Sequence, residues 1–384
     1  MKNNTEGSAL RVLQVYRTYF PDPPGGLQEV IRQVALSSAD FDVVTRIFTL
    51  SPTPQPKNIS RPEGEVVRER SWAAPGSCDL GGTAAVREFG RNCATSDVVH
   101  YHFPWPYADI LHAIGRPKIP AIMTYHSDII RQKLLGRIYA PLMWRTLQEM
   151  KFIVATSPTY ARTSPVLSDR TICEKVRVIP SGIVEDSYPK EADHGIFDRI
   201  KHAKGEPFFL FIGVLRYYKG LHTLVQAAIS VSASIVIAGT GPEDQSLREL
   251  QQQLGAKNVI FAGQISDKEK VALLQSCLAM VLPSHLRSEA FGMVLVEAAM
   301  FGKPQISCEI GTGTSYVNLH EETGIVIAPE DPKVLARAMN RLLNETSTTE
   351  SMGANARARY EQLFSGYALG KAYSDLYREV APGL

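Results

Sequence analysis

The sequence has few cysteines and none of the spacings that would make them structural. Five occur among 384 residues, an odd number, and they are widely spaced without any C-x2-C pair. Free thiols in a reducing cytosol fit this usage better than a disulfide framework or a zinc site. No apolar run is long enough to span a membrane, and the polar N-terminal stretch is unlike a signal peptide. We therefore expect a protein that works in the cytosol or on a membrane surface.

An excess of charge of one sign is also missing. The 41 Lys and Arg residues nearly balance the 39 Asp and Glu residues, and a formal net charge of +2 argues against a dedicated nucleic-acid binder. A phosphate-binding G-x4-G-K-[ST] loop is absent. The sequence offers no plausible D-x-D metal site, since Asp22, Asp128 and Asp331 are isolated acids. We therefore expect neither a bound metal nor a cofactor.

What is present is a globular composition in which strand-like and helical segments alternate. A chain of 384 residues exceeds what one hydrophobic core usually supports, so two domains are expected. The alternation predicts doubly wound parallel sheets. Residues 51–63 contain four prolines and are expected to form an irregular excursion. We place strands at 11–16, 43–49, 65–71, 98–102, 120–125, 152–156 and 176–179, in the segments FFLFIG, SIVIAG, NVIFAG, PQISC and GIVIA, and a helix at 331–344.

The stretch around Glu289 and Glu297 carries the most chemistry. The two carboxylates stand eight residues apart, in a run where Ser288 can cap a helix and Gly302 and Pro304 can end it. Eight helical residues span roughly 12 Å, close to the length of a sugar–diphosphate–ribose unit. Unpaired N–H groups at the start of such a helix attract phosphate oxygens. The alternative is an amphipathic helix with one buried capping Glu and one solvated Glu.

The whole stretch, S-E-A-F-G-M-V-L-V-E-A-A-M-F-G-K-P, resembles the donor-binding signature of retaining glycosyltransferases of the GT-B type. The resemblance covers nearly the whole chain. It implies an α/β fold with two Rossmann-like domains that face each other across a cleft, and a C-terminal helix that crosses back to the first domain. The polar stretch 186–206 independently supports a domain boundary. The predicted parts are an acceptor domain at 1–190, a nucleotide-sugar donor domain at 191–364 and the crossing helix at 365–384.

The resemblance also implies roles for single residues of the second domain. Glu289 would orient hydroxyls of the transferred sugar, and Glu297 would hold the ribose. Arg216 and Lys219, which follow FFLFIG, would neutralise the leaving diphosphate. Two cations beside a strand end suit that role in any case, and solvated charge is the alternative. The further candidates would contribute backbone groups to the phosphates, at Phe291, Gly292, Met293 and Val294, or to the nucleotide base, at Gln264 and Ile265.

In the first domain, a Gly-Gly turn and a polar cluster each follow a strand, at the edge where open α/β sheets bind ligands. Gly25 and Gly26 form either a simple tight turn or, as the resemblance implies, a loop that closes over the donor phosphates or meets the acceptor. His126, in the motif Y-H-S-D, would contact the donor sugar. His100 and His102 invite a metal interpretation, but no third ligand stands nearby, so packing at the strand end or acceptor contact is favoured.

Residues 129–151 combine apolar side chains with five Lys or Arg and one Glu. They could form a surface helix pair that leans on anionic lipid, or an ordinary domain helix with a basic outer face. The first possibility corresponds to a peripheral position on the cytoplasmic face of the inner membrane.

The segments LQVYRTYFPDPPGGLQEVIRQ, YHSDIIRQK and GVLRYYKGL look like those of mannosyl- and rhamnosyltransferases that assemble lipopolysaccharide O-polysaccharide. The resemblance implies a nucleotide-sugar donor, with GDP-mannose or GDP-D-rhamnose as the first hypothesis, and a polyprenyl-diphosphate-linked saccharide as acceptor. A UDP-sugar-dependent transferase, a nucleotide-sugar epimerase and a non-catalytic nucleotide-sugar binder are the alternatives.

Overall fold

The structure is a computed structural model, and it describes residues 9–22, 25–75, 78–129, 133–202 and 205–382. The chain divides into two compact units, residues 1–182 together with 366–384, and residues 183–365, here called the N-terminal and C-terminal domains. This division lies a few residues before the predicted boundary at 190. The reason is Ile183, whose N–H donates to the carbonyl of Phe364 at 2.8 Å and whose side chain lies in the C-terminal core.

The N-terminal domain is built on one mixed sheet. Its order is β3-β4-β2-β1-β6-β7-β8-β9, with β5 paired to β4. The pairs β3–β4 and β4–β5 are antiparallel, and the central strands are parallel. Covered on both faces, a central strand such as β6 is buried along its whole length. The strands are β1 (Leu10–Val15), β2 (Val43–Ser51), β3 (Asn58–Arg61), β4 (Gly64–Ala73), β5 (Leu80–Gly81), β6 (Val98–Phe103), β7 (Ala121–Tyr125), β8 (Phe152–Ala155) and β9 (Val176–Val178).

Helices cover both faces of this sheet. Two of them begin with proline in the first turn, where a missing N–H costs nothing. One of these has Ser157 as its cap, with Oγ accepting from the N–H of Tyr160 at 3.0 Å. The helices are α1 (Gly26–Ala39), α2 (Thr83–Ala94), α3 (Pro106–Gly115), α4 (Lys133–Glu149) and α5 (Pro158–Thr163).

The basic segment at 129–151 forms α4, and residues 130–132 of it lie outside the described part of the chain. Met143 and Leu147 of α4 are buried, whereas Ile138 is 79% exposed. The helix packs against α3, as expected for an ordinary domain helix. Along the described residues, we find no helix with the length and hydropathy needed to cross a membrane.

The proline-rich excursion at 51–63 is more regular than predicted, because it contains the edge strand β3. Buried Arg68 of β4 organises the loop that leads to it. Its Nη2 donates to Ser51 Oγ at 2.8 Å and to the carbonyl of Thr53 at 2.9 Å, and it pairs with Asp22 at 3.2 Å. The sequence pattern does not predict this ordered loop, because the cation that orders it, Arg68, comes from a neighbouring strand.

The C-terminal domain has a parallel sheet in the order β12-β11-β10-β13-β14-β15. Its strands are β10 (Phe208–Ile212), β11 (Ser234–Ala238), β12 (Val259–Gly263), β13 (Ala279–Leu282), β14 (Gln305–Cys308) and β15 (Gly324–Ile327). The helices are α6 (Gly195–Arg199), α7 (Leu221–Ala227), α8 (Asp244–Leu254), α9 (Asp267–Ser276), α10 (Met293–Met300), α11 (Thr314–Val317), α12 (Pro332–Asn344) and α13 (Thr346–Arg359). Strand β13 was not predicted, since a short apolar run cannot be told from a buried helix end.

The last helix, α14 (Gly366–Val380), returns to the N-terminal domain and packs on α1, as predicted. Leu369, Tyr373 and Tyr377 of α14 are buried in that domain's core. A Cβ at Gly370 would lie 2.0 Å from the carbonyl oxygen of Ser37. Only glycine therefore allows the two helices to approach so closely.

Candidate active site

Glu289 lies in a turn and not at the start of a helix. Its N–H donates to the carbonyl of Leu286 at 3.0 Å, whereas α10 begins at Met293. The predicted cap at Ser288 is therefore wrong, and the helical spacing of roughly 12 Å between the two glutamates does not apply. The physical reason is Gly292, whose φ of 84° is left-handed and redirects the chain just before the first helical residue.

The carboxylate of Glu289 forms an ion pair with Lys219, from the loop after β10. Lys219 Nζ donates to Glu289 Oε2, and Ser284 Oγ donates to the same oxygen at 3.2 Å. The charged side chains are only 13% and 11% exposed. Burial acts to lower the pKa of Lys219, but the neighbouring carboxylate outweighs it and leaves this pKa raised. The domain thus holds a fixed, protonated ammonium beside α10.

Glu297 lies on α10 and is held by different partners. Its Oε1 accepts from the Tyr188 hydroxyl and, at 3.0 Å, from Lys270 Nζ of α9. The ammonium of Lys270 also lies over the Tyr188 ring, 4.6 Å from its centroid. The two glutamates therefore belong to two separate polar clusters, one centred on Lys219 and the other on Lys270.

The start of α10 offers backbone donors. The N–H groups of its first turn have no carbonyl of the same helix to bind. Phe291 and Val294 are 6% and 8% exposed, so they can serve a ligand only through backbone atoms. A Cβ at Gly292 would come within 3.0 Å of Leu282 Cδ2, so the close packing here also favours glycine.

Arg216 is placed differently from Lys219. It is exposed and extended, and it lines a groove of about 410 Å³ together with Tyr217, His222 and Glu243. Within the described residues it forms no ion pair. The structure therefore joins Lys219, but not Arg216, to Glu289.

Gln264 and Ile265 lie between β12 and α9. Ser266 and Glu269 form a capping box directly after them, with Ser266 N–H donating to Glu269 Oε2 at 2.7 Å. The exposed Gln264 side chain accepts from Thr240 Oγ1 at 3.4 Å. The cap fixes where this loop enters the helix, which suits recognition through backbone groups.

In the N-terminal domain, His126 follows β7. Its ring stacks on His102, with centroids 5.2 Å apart and planes 16° apart, and its Nε2 lies 2.9 Å from His102 Nδ1. Burial lowers the pKa of His126 to about 3, so the ring is neutral at physiological pH. His126 can thus offer a hydrogen bond but brings no positive charge of its own.

His100 and His102 are buried hydrogen-bonding residues, as the prediction of strand-end packing expected. His100 Nδ1 lies 2.8 Å from the Tyr377 hydroxyl, and its Nε2 lies 2.7 Å from Thr124 Oγ1. His102 Nε2 lies 2.6 Å from Gln14 Oε1. These partners take up the ring nitrogens that a metal would need.

Gly25 and Gly26 begin α1, with Gly25 as the cap and Gly26 as the first helical residue. A Cβ at Gly25 would meet Gln28 Oε1 at 2.6 Å, whereas one at Gly26 would meet no atom of the described residues within 4 Å. As far as those residues are concerned, the space beside Gly26 is open.

The acids considered as metal ligands have other partners. Asp22 pairs with Arg68, Asp128 accepts from Ser164 Oγ at 2.6 Å, and Asp331 caps α12. The D-x-D at Asp40 and Asp42 precedes β2, at the sheet edge opposite to His126. No cluster of three or more candidate ligands occurs in the described ranges.

Comparisons with known proteins identify the family. A profile described as "Glycosyltransferase Family 4" matches residues 24–187, and one described as "Glycosyl transferases group 1" matches residues 194–359. The D-rhamnosyltransferase WbpZ of Pseudomonas aeruginosa is 46% identical over 360 residues, which cover 93% of this chain and 92% of that protein. The chain belongs to the GT-B glycosyltransferases.

Two further relatives are similar along their whole length. The O-antigen chain mannosyltransferase C of Escherichia coli is 39% identical to this glycosyltransferase, covering 96% of this chain and 98% of that protein. Sucrose-phosphate synthase from Thermosynechococcus elongatus superposes with a TM-score of 0.79 at 21% identity, covering 97% and 99% of the two chains. The latter likeness shows the shared fold.

Four side chains of the glycosyltransferase's polar clusters were missed by sequence reasoning. Lys270 and Tyr188 contact Glu297, Ser284 contacts Glu289, and Gln14 contacts His102. Gln14 alone carried a signal, since it is a polar residue within the apolar run VLQV of β1. The others lie in polar segments where nothing distinguishes them from solvated residues.

Proposed function

We propose that this chain is a retaining, metal-independent glycosyltransferase that moves mannose or D-rhamnose from a GDP-linked donor onto a saccharide acceptor in O-antigen synthesis. The observation that carries the reaction chemistry is the buried Lys219–Glu289 pair directly before α10. The choice of sugar is supported by likeness to a D-rhamnosyltransferase and an O-antigen mannosyltransferase.

In this proposal the C-terminal domain binds the donor's charged part. Lys219 and the N–H groups at the start of α10 stabilise negative charge that grows on the diphosphate as it leaves. Arg216, exposed in its groove, adds a second cation. Because these groups supply the positive charge, the reaction needs no metal ion.

Glu289 is proposed to orient hydroxyls of the transferred sugar, and His126 to contact that sugar through its neutral ring. The ion pair with Lys219 and the hydrogen bond from Ser284 suit a carboxylate that positions a ligand. They make it a poor nucleophile toward the anomeric carbon. This supports a route in which the acceptor oxygen bonds to the anomeric carbon on the face that the phosphate leaves, and the acceptor proton passes to that phosphate.

Glu297, oriented by Tyr188 and Lys270, is proposed to bind the ribose hydroxyls, and the backbone at Gln264 and Ile265 to meet the base. The acceptor is proposed to be a polyprenyl-diphosphate-linked saccharide, so that the enzyme works peripherally at the cytoplasmic face of the inner membrane. The exposed Ile138 on α4 supports such contact.

A UDP-sugar remains the alternative donor, because backbone contacts to the base discriminate weakly between guanine and uracil. A nucleotide-sugar epimerase is not favoured, since both matching profiles describe glycosyltransferases.

The test is a donor screen with GDP- and UDP-sugars, read by thermal shift and followed by transfer assays. A ligand that binds only the native state at about 100 times its Kd adds roughly 2.7 kcal/mol of stability. We expect GDP-mannose or GDP-D-rhamnose to raise Tm most and to be transferred equally well with EDTA present. A larger shift with UDP-sugars would overturn the donor, and loss of transfer in EDTA restored by Mg²⁺ would overturn metal independence.

A further inference from the structure

A chain of hydrogen bonds leads from the core of the N-terminal domain to His126. Gln14 lies on β1, His102 on β6, and His126 directly after β7, and these three strands are neighbours in the sheet. Gln14 Oε1 lies 2.6 Å from His102 Nε2, and His102 Nδ1 lies 2.9 Å from His126 Nε2. The three side chains are buried, at 1%, 1% and 6% exposure.

In this series of hydrogen bonds, the position of the hydrogen on one side chain determines its position on the next. Burial lowers the pKa of His102 and His126 far below the usual value, so each ring carries a single N–H. Gln14 Oε1 can only accept, so His102 carries its hydrogen on Nε2 and its Nδ1 holds a lone pair. His126 must then carry its hydrogen on Nε2. Its Nδ1 is left as an acceptor without a protein partner in the described part of the chain.

The Gln14 amide carries an unfavourable free energy, which indicates that its oxygen has a role beyond packing. Its Nε2 is buried with no hydrogen-bond partner among the described residues. A buried donor left without a partner costs roughly 1–3 kcal/mol. An apolar side chain of similar size would avoid that cost on a strand whose other buried residues are apolar. Packing alone therefore does not explain glutamine at this position.

We propose that Gln14 and His102 are positioning residues that hold His126 as the Nε2–H tautomer, so that its Nδ1 accepts a hydrogen bond from a hydroxyl of the transferred sugar. The identity of the sugar partner rests on the proposed function, whereas the tautomer does not. Neighbouring His100 is bonded to Tyr377 and Thr124, and its ring lies 4.3 Å from that of His102. The His100 ring packs beside the hydrogen-bonded series of Gln14, His102 and His126 without taking part in it.

The tautomer can be read directly from ring ¹⁵N shifts in protein labelled at its nine histidines. A His126→Gln variant assigns the signals of His126. We expect wild-type His126 to carry hydrogen on Nε2 only, with no imidazolium between about pH 5 and 8. The opposite tautomer in the wild-type protein would overturn the proposal without reference to activity or to any variant.

A Gln14→Met variant keeps the side-chain length but removes the acceptor. We expect mixed tautomers at His126 and a kcat for transfer that is roughly 10-fold lower, with a smaller change in donor KM, by analogy with partners that orient metal-bound histidines. The matched control is Tyr377→Phe, which removes a buried hydrogen bond to His100 but should leave the tautomer and kcat unchanged.

An unchanged His126 spectrum in Gln14→Met would overturn the role of Gln14, and a changed spectrum with normal kcat would overturn its effect on the reaction. If the wild-type enzyme transfers no sugar from any donor, the proposed function fails, and the wild-type spectrum still decides the tautomer.

Discussion

The two domains hold their polar clusters together by different forces. In the N-terminal domain the cluster consists of buried neutral rings linked by hydrogen bonds. Burial lowers their pKa values, to about 3 for two of the three. The residues are His100, His102 and His126.

In the C-terminal domain the corresponding clusters are ion pairs. Lys219 pairs with Glu289, and Lys270 pairs with Glu297, in both cases with largely buried side chains. Charges removed from water in this way act strongly on a nearby ligand, since bulk solvent screens them little.

The difference matches the chemistry that the two clusters would serve. A leaving diphosphate gains charge, and fixed cations stabilise it without reorganising. A sugar is neutral, and it is recognised by the direction of hydrogen bonds, which neutral histidine tautomers define. The comparison predicts that substitutions that remove a charge have their largest effect in the C-terminal domain. Acidification should instead affect mainly the N-terminal domain.

The largest effect should come from Lys219→Ala. Removing this preorganised cation should slow turnover by roughly 10²-fold or more, by analogy with the loss of one transition-state donor. Steady-state transfer with the donor found in the screen measures it, with exposed Lys257→Ala as the control that should remain active. Near-normal turnover in folded Lys219→Ala protein would remove this residue from the mechanism.

The next largest effect should be a difference between the two glutamate variants in nucleotide affinity and turnover. Losing a charge-assisted hydrogen bond costs roughly 1.5–3 kcal/mol, so Glu297→Ala should weaken GDP and the intact donor alike. Glu289→Ala should leave GDP affinity near normal while turnover falls sharply, because its carboxylate is proposed to meet the transferred sugar and not the nucleotide. Calorimetry with GDP and UDP on both variants measures this. The reverse result would mean that the ligand lies the other way round.

Mild acidification should act on stability, and mainly on that of the N-terminal domain. A histidine whose pKa falls on folding stabilises the protein above its unfolded pKa of about 6.5, and that stability is lost as pH falls toward the folded value. The loss is about 1.4 kcal/mol per pH unit for each such histidine. His112 adds to the three clustered histidines, whereas Asp109, with its pKa raised by burial to about 7, opposes them.

Tryptophan fluorescence can follow this domain alone, because Trp72, Trp105 and Trp144 all belong to it. We expect its denaturant midpoint to fall between pH 7 and about 5, before ordinary carboxylates titrate. Circular dichroism reports both domains. If the denaturant midpoint shifts equally by fluorescence and by circular dichroism, the contrast between the two domains is contradicted.

Local patterns determined much of this protein. Apolar runs predicted most of the buried parallel strands, because burial on both faces of a parallel sheet requires such runs. The stretch around Glu289 was recognisable because its carboxylates, its glycine turn and the glycine and proline that end the helix lie close together in the sequence. The edge strand β3 escaped because pairing and not composition makes it a strand, and β13 escaped because a short apolar run also fits the end of a buried helix.

Only the tertiary structure decided which polar residues act together. Lys219 meets Glu289, Lys270 meets Glu297, and Gln14 reaches toward His126 through His102, across separations in sequence that no local pattern encodes. The left-handed turn at Gly292 likewise separates Glu289 from the helix that its sequence suggested. A side chain's partners depend on where distant strands place it, and burial then decides whether it is charged or neutral.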